Sequence, residues 1–134
     1  MSQLIFISTL IISLNIFASV PDLNKDYDEF QNEYNNIFNI KNDKKEFSVQ
    51  FNKIEKELQL KYKNFVKKEK KKLTSEGNQM ALDLEILEPL RILAEDTITE
   101  KKCLEAEFAN DLNNSDNEKS YKQIKDQISS ICKN

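Results

Sequence analysis

The sequence predicts an all-α protein, a bundle of four to five helices whose C-terminal hairpin is clamped by one disulfide bond. The chain of 134 residues contains one Gly and two Pro, so it has few of the residues that favour β-turns. Apolar residues recur three and four positions apart in several segments, as they do along one face of an α-helix. Two cysteines, Cys103 and Cys132, lie in the last third of the chain.

The N-terminal segment differs from the rest of the chain. Leu4–Phe17 is almost entirely apolar and uncharged, and small residues follow it at Ala18 and Ser19. This layout predicts a signal peptide over residues 1–18 and a single secreted domain over residues 19–134. The run is shorter than the about 20 residues that cross a bilayer. Because no Lys or Arg precedes it, an uncleaved anchor that displays the bundle on a membrane is the alternative.

The predicted compartment bears on the cysteines. Outside the cytosol, Cys103 and Cys132 would be oxidised, and we expect a disulfide between them. Such a bond stabilises a fold mainly by restricting the unfolded chain. The alternative is a pair of buried thiols.

Two amphipathic helices are predicted in the first half of the domain. The second would begin at Asp43, which has capping-box spacing to Glu46, and would run to about Glu76, with Gly77 as its C-cap. The first helix carries its apolar residues at Leu23, Tyr27, Phe30, Tyr34, Ile37 and Phe38.

The second half is predicted to hold the more buried helices. Pro89 should kink or divide the segment that starts at Met80. Thr97 with Glu100, and Ser115 with Glu118, have capping-box spacing, so we expect helices to restart there. The apolar face is expected to continue through Leu104, Phe108 and Leu112, and then through Tyr121, Ile124, Ile128 and Ile131.

The segment "KYKNFVKKEKKKL" raises the possibility of an anionic partner. Residues 53–72 contain nine Lys and three Glu, a net charge of +6. These lysines lie opposite the apolar stripe, which is typical of a solvated helix face. No aromatic residue lies among them to stack on bases, so we predict no nucleic-acid partner. Binding to an anionic surface is the alternative, and its candidate residues are Lys67, Lys68, Lys70, Lys71 and Lys72.

Composition and motifs argue against enzymatic activity. The chain has no His, and two cysteines alone cannot complete a usual zinc site. No nucleophile-elbow, phosphate-loop or zinc-protease motif is present. "DLNNSDNEKSYK" resembles half of a calcium loop, but Asp116 and Lys122 replace the required Gly and Glu. We therefore predict no catalytic residue, no cofactor and no metal site. Separately, Asn113 begins the triplet Asn-Asn-Ser, so we assign it as a candidate N-glycosylation site.

These exclusions leave two functional hypotheses. The leading one is a non-enzymatic extracellular interaction protein that engages an unidentified protein partner through its surface, for example at a host–parasite boundary. The alternative is a carrier that holds a small apolar ligand among the Phe and Tyr side chains between the helices. Membrane contact is expected only if the N-terminal segment is retained.

Three stretches resemble the SXP/RAL family of small secreted nematode proteins: "YNNIFNIKNDKKEF", "KYKNFVKKEKKKL" and "ILEPLRILAEDTITEKK". Thr97, Thr99 and Glu100 match the family's "T-x-x-E/Q"-like restart after an Ile- or Leu-rich helix, and the resemblance covers Tyr34–Lys125. The chain departs from the family in lacking the usual Trp, in its cysteine pair and in its heavier lysine run. The resemblance implies a secreted, all-helical and often immunogenic protein, for which metal or small-ligand binding has been considered. It carries no catalytic residue over to this chain.

Overall fold

Six α-helices lie within residues 23–41, 43–69 and 74–133, the parts of the chain that the computed structural model describes. The all-α prediction is confirmed. The helix number exceeds the predicted four to five. One reason is that the segment around Pro89 is divided into two helices rather than kinked, which is one of the two outcomes predicted for it. The helices are α1 (Leu23–Ile37), α2 (Lys44–Glu69), α3 (Ser75–Ile86), α4 (Glu88–Ala94), α5 (Glu100–Asn114) and α6 (Glu118–Lys133).

The long helix α2 organises the bundle, because α1, α3, α4 and α6 all pack against it. Helix α5 packs against α3, α4 and α6, each of which also contacts α2. One hydrophobic core joins the helices. Its largest fully buried side chains are Phe30, Ile37, Phe47, Phe51, Leu58, Phe65, Met80, Leu87, Leu90, Leu93, Ile124 and Ile128.

The predicted start of α2 is confirmed. Asp43 Oδ1 accepts hydrogen bonds from the backbone N–H groups of Lys45 and Glu46, at 3.0 and 2.9 Å. These bonds satisfy two of the donors that a helix leaves unpaired at its N-terminus.

The predicted role of Gly77 is wrong. The described part of α2 ends at Glu69, and Gly77 lies in the first turn of α3. Thr74 caps this helix by accepting the Gly77 N–H at 3.0 Å. Because a Cβ at Gly77 would lie 2.6 Å from Glu69 Oε1, the absence of a side chain there makes room for that carboxylate. Glu69 Oε2 in turn accepts the Thr74 N–H at 2.6 Å.

The N-caps of α5 and α6 lie two residues beyond their predicted positions. Thr99 rather than Thr97 caps α5, with its side chain accepting the Lys102 N–H at 3.2 Å. Asn117 rather than Ser115 caps α6 in the same way, through the Ser120 N–H at 3.2 Å. In both cases a neighbouring residue with an equivalent oxygen takes the cap, which spacing alone does not distinguish.

The disulfide-clamped hairpin is confirmed. Helices α5 and α6 pack against each other, and Cys103 near the start of α5 is bonded to Cys132 near the end of α6, with a Cα–Cα distance of 6.2 Å. The bond therefore joins the open end of the hairpin, opposite the short turn at Ser115–Asn117.

The predicted burial of the α5 apolar residues is wrong. Leu104, Phe108 and Leu112 are 61%, 65% and 65% exposed. Leu82 on α3 is exposed as well, whereas Ile124, Ile128 and Ile131 on α6 are fully buried as expected.

Two predictions fall on residues outside the described parts of the chain. These are the signal peptide over residues 1–18 and the lysines Lys70, Lys71 and Lys72. Within the described ranges, no helix has the length and apolar character needed to span a bilayer.

Candidate interaction surface

The inward face of α5 consists of small and polar side chains. Cys103, Ala106, Asn110 and Asn114 are its buried residues, and they follow one another at spacings of three and four. Small side chains at Cys103 and Ala106 let the helix approach its neighbours closely. Hydropathy alone would place the face with the two asparagines on the outside of the bundle, but it is the face that α5 buries.

Two buried amides hold the C-terminal half of α5. Asn110 and Asn114 are each 1% exposed. Asn114 Nδ2 donates to Ile86 O at 3.0 Å and to Asn110 Oδ1 at 2.9 Å, while Asn110 Nδ2 donates to Tyr121 O at 3.1 Å. These bonds connect α5 to the end of α3 and to α6. They fix the rotation of α5 because turning the helix would leave buried polar groups without partners.

The outward face of α5 carries a continuous apolar strip. Leu104, Phe108 and Leu112 lie four residues apart, so their side chains lie on neighbouring turns of one face. We call these three residues the α5 strip. Exposed acidic residues dominate its margins, at Glu100, Glu105, Glu107 and Asp111, with a single lysine at Lys101.

The α5 strip and Cys103 cannot both face the core. At about 100° per residue, Phe108 is rotated about 140° from Cys103 around the helix axis. Since Cys103 must face α6 to form the disulfide, Phe108 must face away from the core. Because each of the three side chains is about two thirds exposed, it forgoes about 1–2 kcal/mol of burial free energy. A surface that gives up this much stability is typical of a binding site.

A second exposed face, of opposite charge, lies on α2. It comprises the exposed lysines Lys53, Lys56, Lys63 and Lys67 together with the aliphatic residues Val49 and Leu60, and we call it the α2 basic face. Val49 is 66% and Leu60 59% exposed. Among the described residues, no acidic side chain lies within ion-pairing distance of these four lysines.

Only two of the predicted anionic-surface lysines can be placed. Lys67 is exposed and belongs to the α2 basic face. Lys68 pairs with Asp26 of α1, with Nζ 2.5 Å from Oδ2, so part of its charge is neutralised within the bundle. Lys67 therefore lies on an outward face, whereas Lys68 takes part in a contact between α1 and α2.

A cleft with a volume of about 820 Å³ lies beside α2, α3 and the α5–α6 turn. Its lining includes Tyr62, Leu82 and Glu85, and Asn113, the candidate glycosylation site, is exposed on its border. Arg91 also lines it, but its guanidinium already donates to Glu55, to Glu88 and, at 3.1 Å, to Leu84 O. Its walls combine several amides and carboxylates with the apolar side chains of Leu82 and Ile86, so the cleft suits a ligand that has both apolar and hydrogen-bonding groups.

The buried titratable groups serve to connect helices. Asp83 on α3 accepts hydrogen bonds from Gln31 of α1 at 2.6 Å and from Gln79 at 2.9 Å. Burial raises the pKa of Asp83 above its ordinary value, although these hydrogen bonds oppose the shift. Burial likewise raises the pKa of the Tyr34 phenol. Within the described residues, no group of three or more His, Cys, Asp or Glu side chains could hold a metal ion.

Comparisons with known proteins add no name to this geometry. No family model, no curated protein and no solved structure matches the chain. The α5 strip and the α2 basic face are therefore the two candidate functional surfaces. Sequence reasoning missed the α5 strip and defined the α2 basic face only in part.

Proposed function

We propose that the protein is a non-enzymatic, secreted interaction protein, and that it engages a partner protein through the α5 strip. The observation that carries this proposal is the outward rotation of Leu104, Phe108 and Leu112 on a helix whose buried face is held by a disulfide and two amides. The disulfide also supports an extracellular location, because such bonds persist in oxidising compartments.

The strip defines the chemistry of its partner. Three large apolar side chains at a spacing of four fit a groove or a second helix with apolar residues at matching spacing. Glu100, Glu105, Glu107 and Asp111 at its margins favour basic residues around that apolar patch. An apolar surface with a basic rim is therefore the expected complement.

Site-specific photocrosslinking tests the proposal. A photoreactive phenylalanine analogue would replace Phe108 in one variant, and the exposed Lys119 of α6 in a control variant, both in the full chain secreted from eukaryotic cells. Mass spectrometry of the adducts should give a defined protein–protein adduct from position 108 and none from position 119. Equal labelling from the two positions, or no adduct from position 108, would contradict the proposal.

Secretion has its own test. N-terminal sequencing of the protein released from the cells should begin at Ser19, because we expect cleavage after Ala18. A chain that stays in the membrane fraction with residues 1–18 attached would support the anchor instead.

Membership of the SXP/RAL family and glycosylation of Asn113 stay predictions.

The carrier hypothesis is the second candidate. Its sequence argument rests on the Phe and Tyr side chains, most of which lie in the packed core in the described parts of the chain. The cleft near Tyr62 has ample volume for a small ligand, and its mixed walls suit one with both apolar and hydrogen-bonding groups. Native mass spectrometry would support the carrier if an added mass were released on denaturation.

A further inference from the structure

We propose that one partner of the α5 strip is a second copy of this chain, which docks through its α2 basic face. This inference rests on the proposed function because it uses the same strip. It adds the identity of the occupant and the way in which the copies are arranged.

The two faces are complementary in hydropathy. The α5 strip presents three large apolar side chains over two helical turns. The α2 basic face presents Leu60 and Val49, each more than half exposed, among long lysine side chains. Lysine stems are apolar along most of their length, so they can cover a Phe or Leu side chain while the ammonium group remains at the rim.

The two faces are also complementary in charge. Four acidic residues and one lysine border the α5 strip, whereas Lys53, Lys56, Lys63 and Lys67 point from the α2 basic face with no described acidic partner. Opposite potentials steer association and fix orientation. Pairing one α5 strip with another would instead bring two acidic margins together, which costs free energy.

The contact joins two different faces, and this bears on its symmetry. Helices α2 and α5 each pack against α3, α4 and α6, and the α2 basic face and the α5 strip are both exposed. A copy that uses its α5 strip on one neighbour keeps its α2 basic face available for another. Contacts made to two different neighbours in this way are heterologous and build rings or open chains, whereas both contacts made to one neighbour close a two-fold dimer.

Complementation between two variants tests this arrangement by sedimentation velocity on the full secreted chain. In the first variant, Phe108→Asp removes the strip. In the second, Lys56→Glu, Lys63→Glu and Lys67→Glu reverse the basic face. Each variant alone should associate about tenfold or more weakly than wild type, which corresponds to about 1.4 kcal/mol. Mixed in equal amounts they should form a dimer, because one intact face of each kind remains.

Each possible outcome has a definite meaning. Association of wild type that falls with added salt, together with a mixed dimer, supports the proposal. A lysine variant that still associates like wild type would show strip-to-strip pairing and overturn it, as would an equal mixture that stays monomeric. Leu112→Asp serves as a second strip variant if Phe108→Asp does not fold.

The test also separates this inference from the proposed function. If wild type stays monomeric at all concentrations while position 108 crosslinks to a different protein, the second copy is excluded and the interaction role stands. If position 108 gives no adduct and the protein is monomeric, both proposals fail.

Discussion

Helices α5 and α6 form one hairpin, yet they orient their apolar residues in opposite ways. Helix α6 buries Ile124, Ile128 and Ile131 completely. Helix α5 exposes about two thirds of Phe108 and directs Asn110 into the core instead. Both helices have apolar residues at regular helical spacing, so hydropathy does not explain the difference. Specific bonds do: the disulfide and the amide hydrogen bonds determine which face of α5 turns inward.

Polar and covalent constraints can therefore override the hydrophobic pattern of a single helix. The gain from burying the α5 strip would be several kcal/mol. Against it stand the disulfide and the penalty for leaving buried amides and carbonyls unpaired. The following predictions alter one side of this balance at a time, beginning with the largest expected effect.

Removal of the disulfide should have the largest effect. Cys103→Ser combined with Cys132→Ser should lower the free energy of unfolding by about 3–4 kcal/mol, because the bond closes a loop spanning 29 residues of sequence separation. Urea denaturation of the two proteins measures the difference. Wild type in reductant serves as the control and should match the double variant. An unchanged free energy of unfolding would show that the bond does not restrict the unfolded chain.

Truncation of a core residue on α6 should come next. Ile128→Ala should lower the free energy of unfolding by about 2–4 kcal/mol, since it leaves a cavity in the core. Its matched control on α5 is Leu112→Ala, which should change that free energy by no more than about 0.5 kcal/mol. Urea denaturation of both variants gives the comparison directly. Similar losses from the two would mean that the helices are buried alike.

The amide bonds of α5 should contribute less. Asn114→Ala leaves Ile86 O and Asn110 Oδ1 without their donor, and should cost about 1–3 kcal/mol. The adjacent and exposed Asn113→Ala is the control and should be close to neutral. Thermal denaturation of unglycosylated protein measures both. If the two substitutions cost the same, the buried amide does not hold the helix.

The smallest effect should come from an exposed hydrogen bond between the two helices. Tyr121 Oη donates to Asp111 Oδ1 at 2.6 Å, and this bond raises the pKa of the Tyr121 phenol above 10.0. Because the folded-state pKa is the higher one, the stabilisation is complete below pH 10.0 and is lost as the pH rises through the folded-state pKa. Tyr121→Phe should therefore reduce the loss of stability above pH 10.0.

Denaturation at a series of pH values measures this contribution. NMR titration of labelled tyrosines gives an independent reading, in which Asp111→Asn should lower the pKa of Tyr121. An unchanged pKa in that variant would contradict the assignment of the hydrogen bond.

Much of the fold follows from local sequence signals. The apolar periodicity of α6 predicts its buried face, and Asp43 predicts the start of α2. The position of Gly77 could not be predicted in this way. Its role depends on the Glu69 carboxylate, which reaches it across the connection from α2 to α3.

The candidate site was harder to predict because two sequence-based expectations conflicted. A Cys103–Cys132 bond requires Cys103 to face the bundle, and a buried Phe108 requires Phe108 to face it. The two positions differ by about 140° around α5, so both cannot hold. Comparing the two would have indicated that one of them was wrong. The sequence also contained the spacing of Cys103, Ala106, Asn110 and Asn114, but Asn seldom marks a buried face, so hydropathy favoured the leucines and the phenylalanine.

The outward position of the α5 strip is tested most directly by the free energy of unfolding of one variant, Leu104→Gln with Phe108→Gln and Leu112→Gln. Glutamine has nearly the helix propensity of leucine, so the change isolates burial. Urea denaturation at low protein concentration should give a value within about 1.5 kcal/mol of wild type, about 0.5 kcal/mol for each substitution, because all three side chains face solvent. A loss of about 4 kcal/mol or more would show that the strip is part of the core, and would contradict the account.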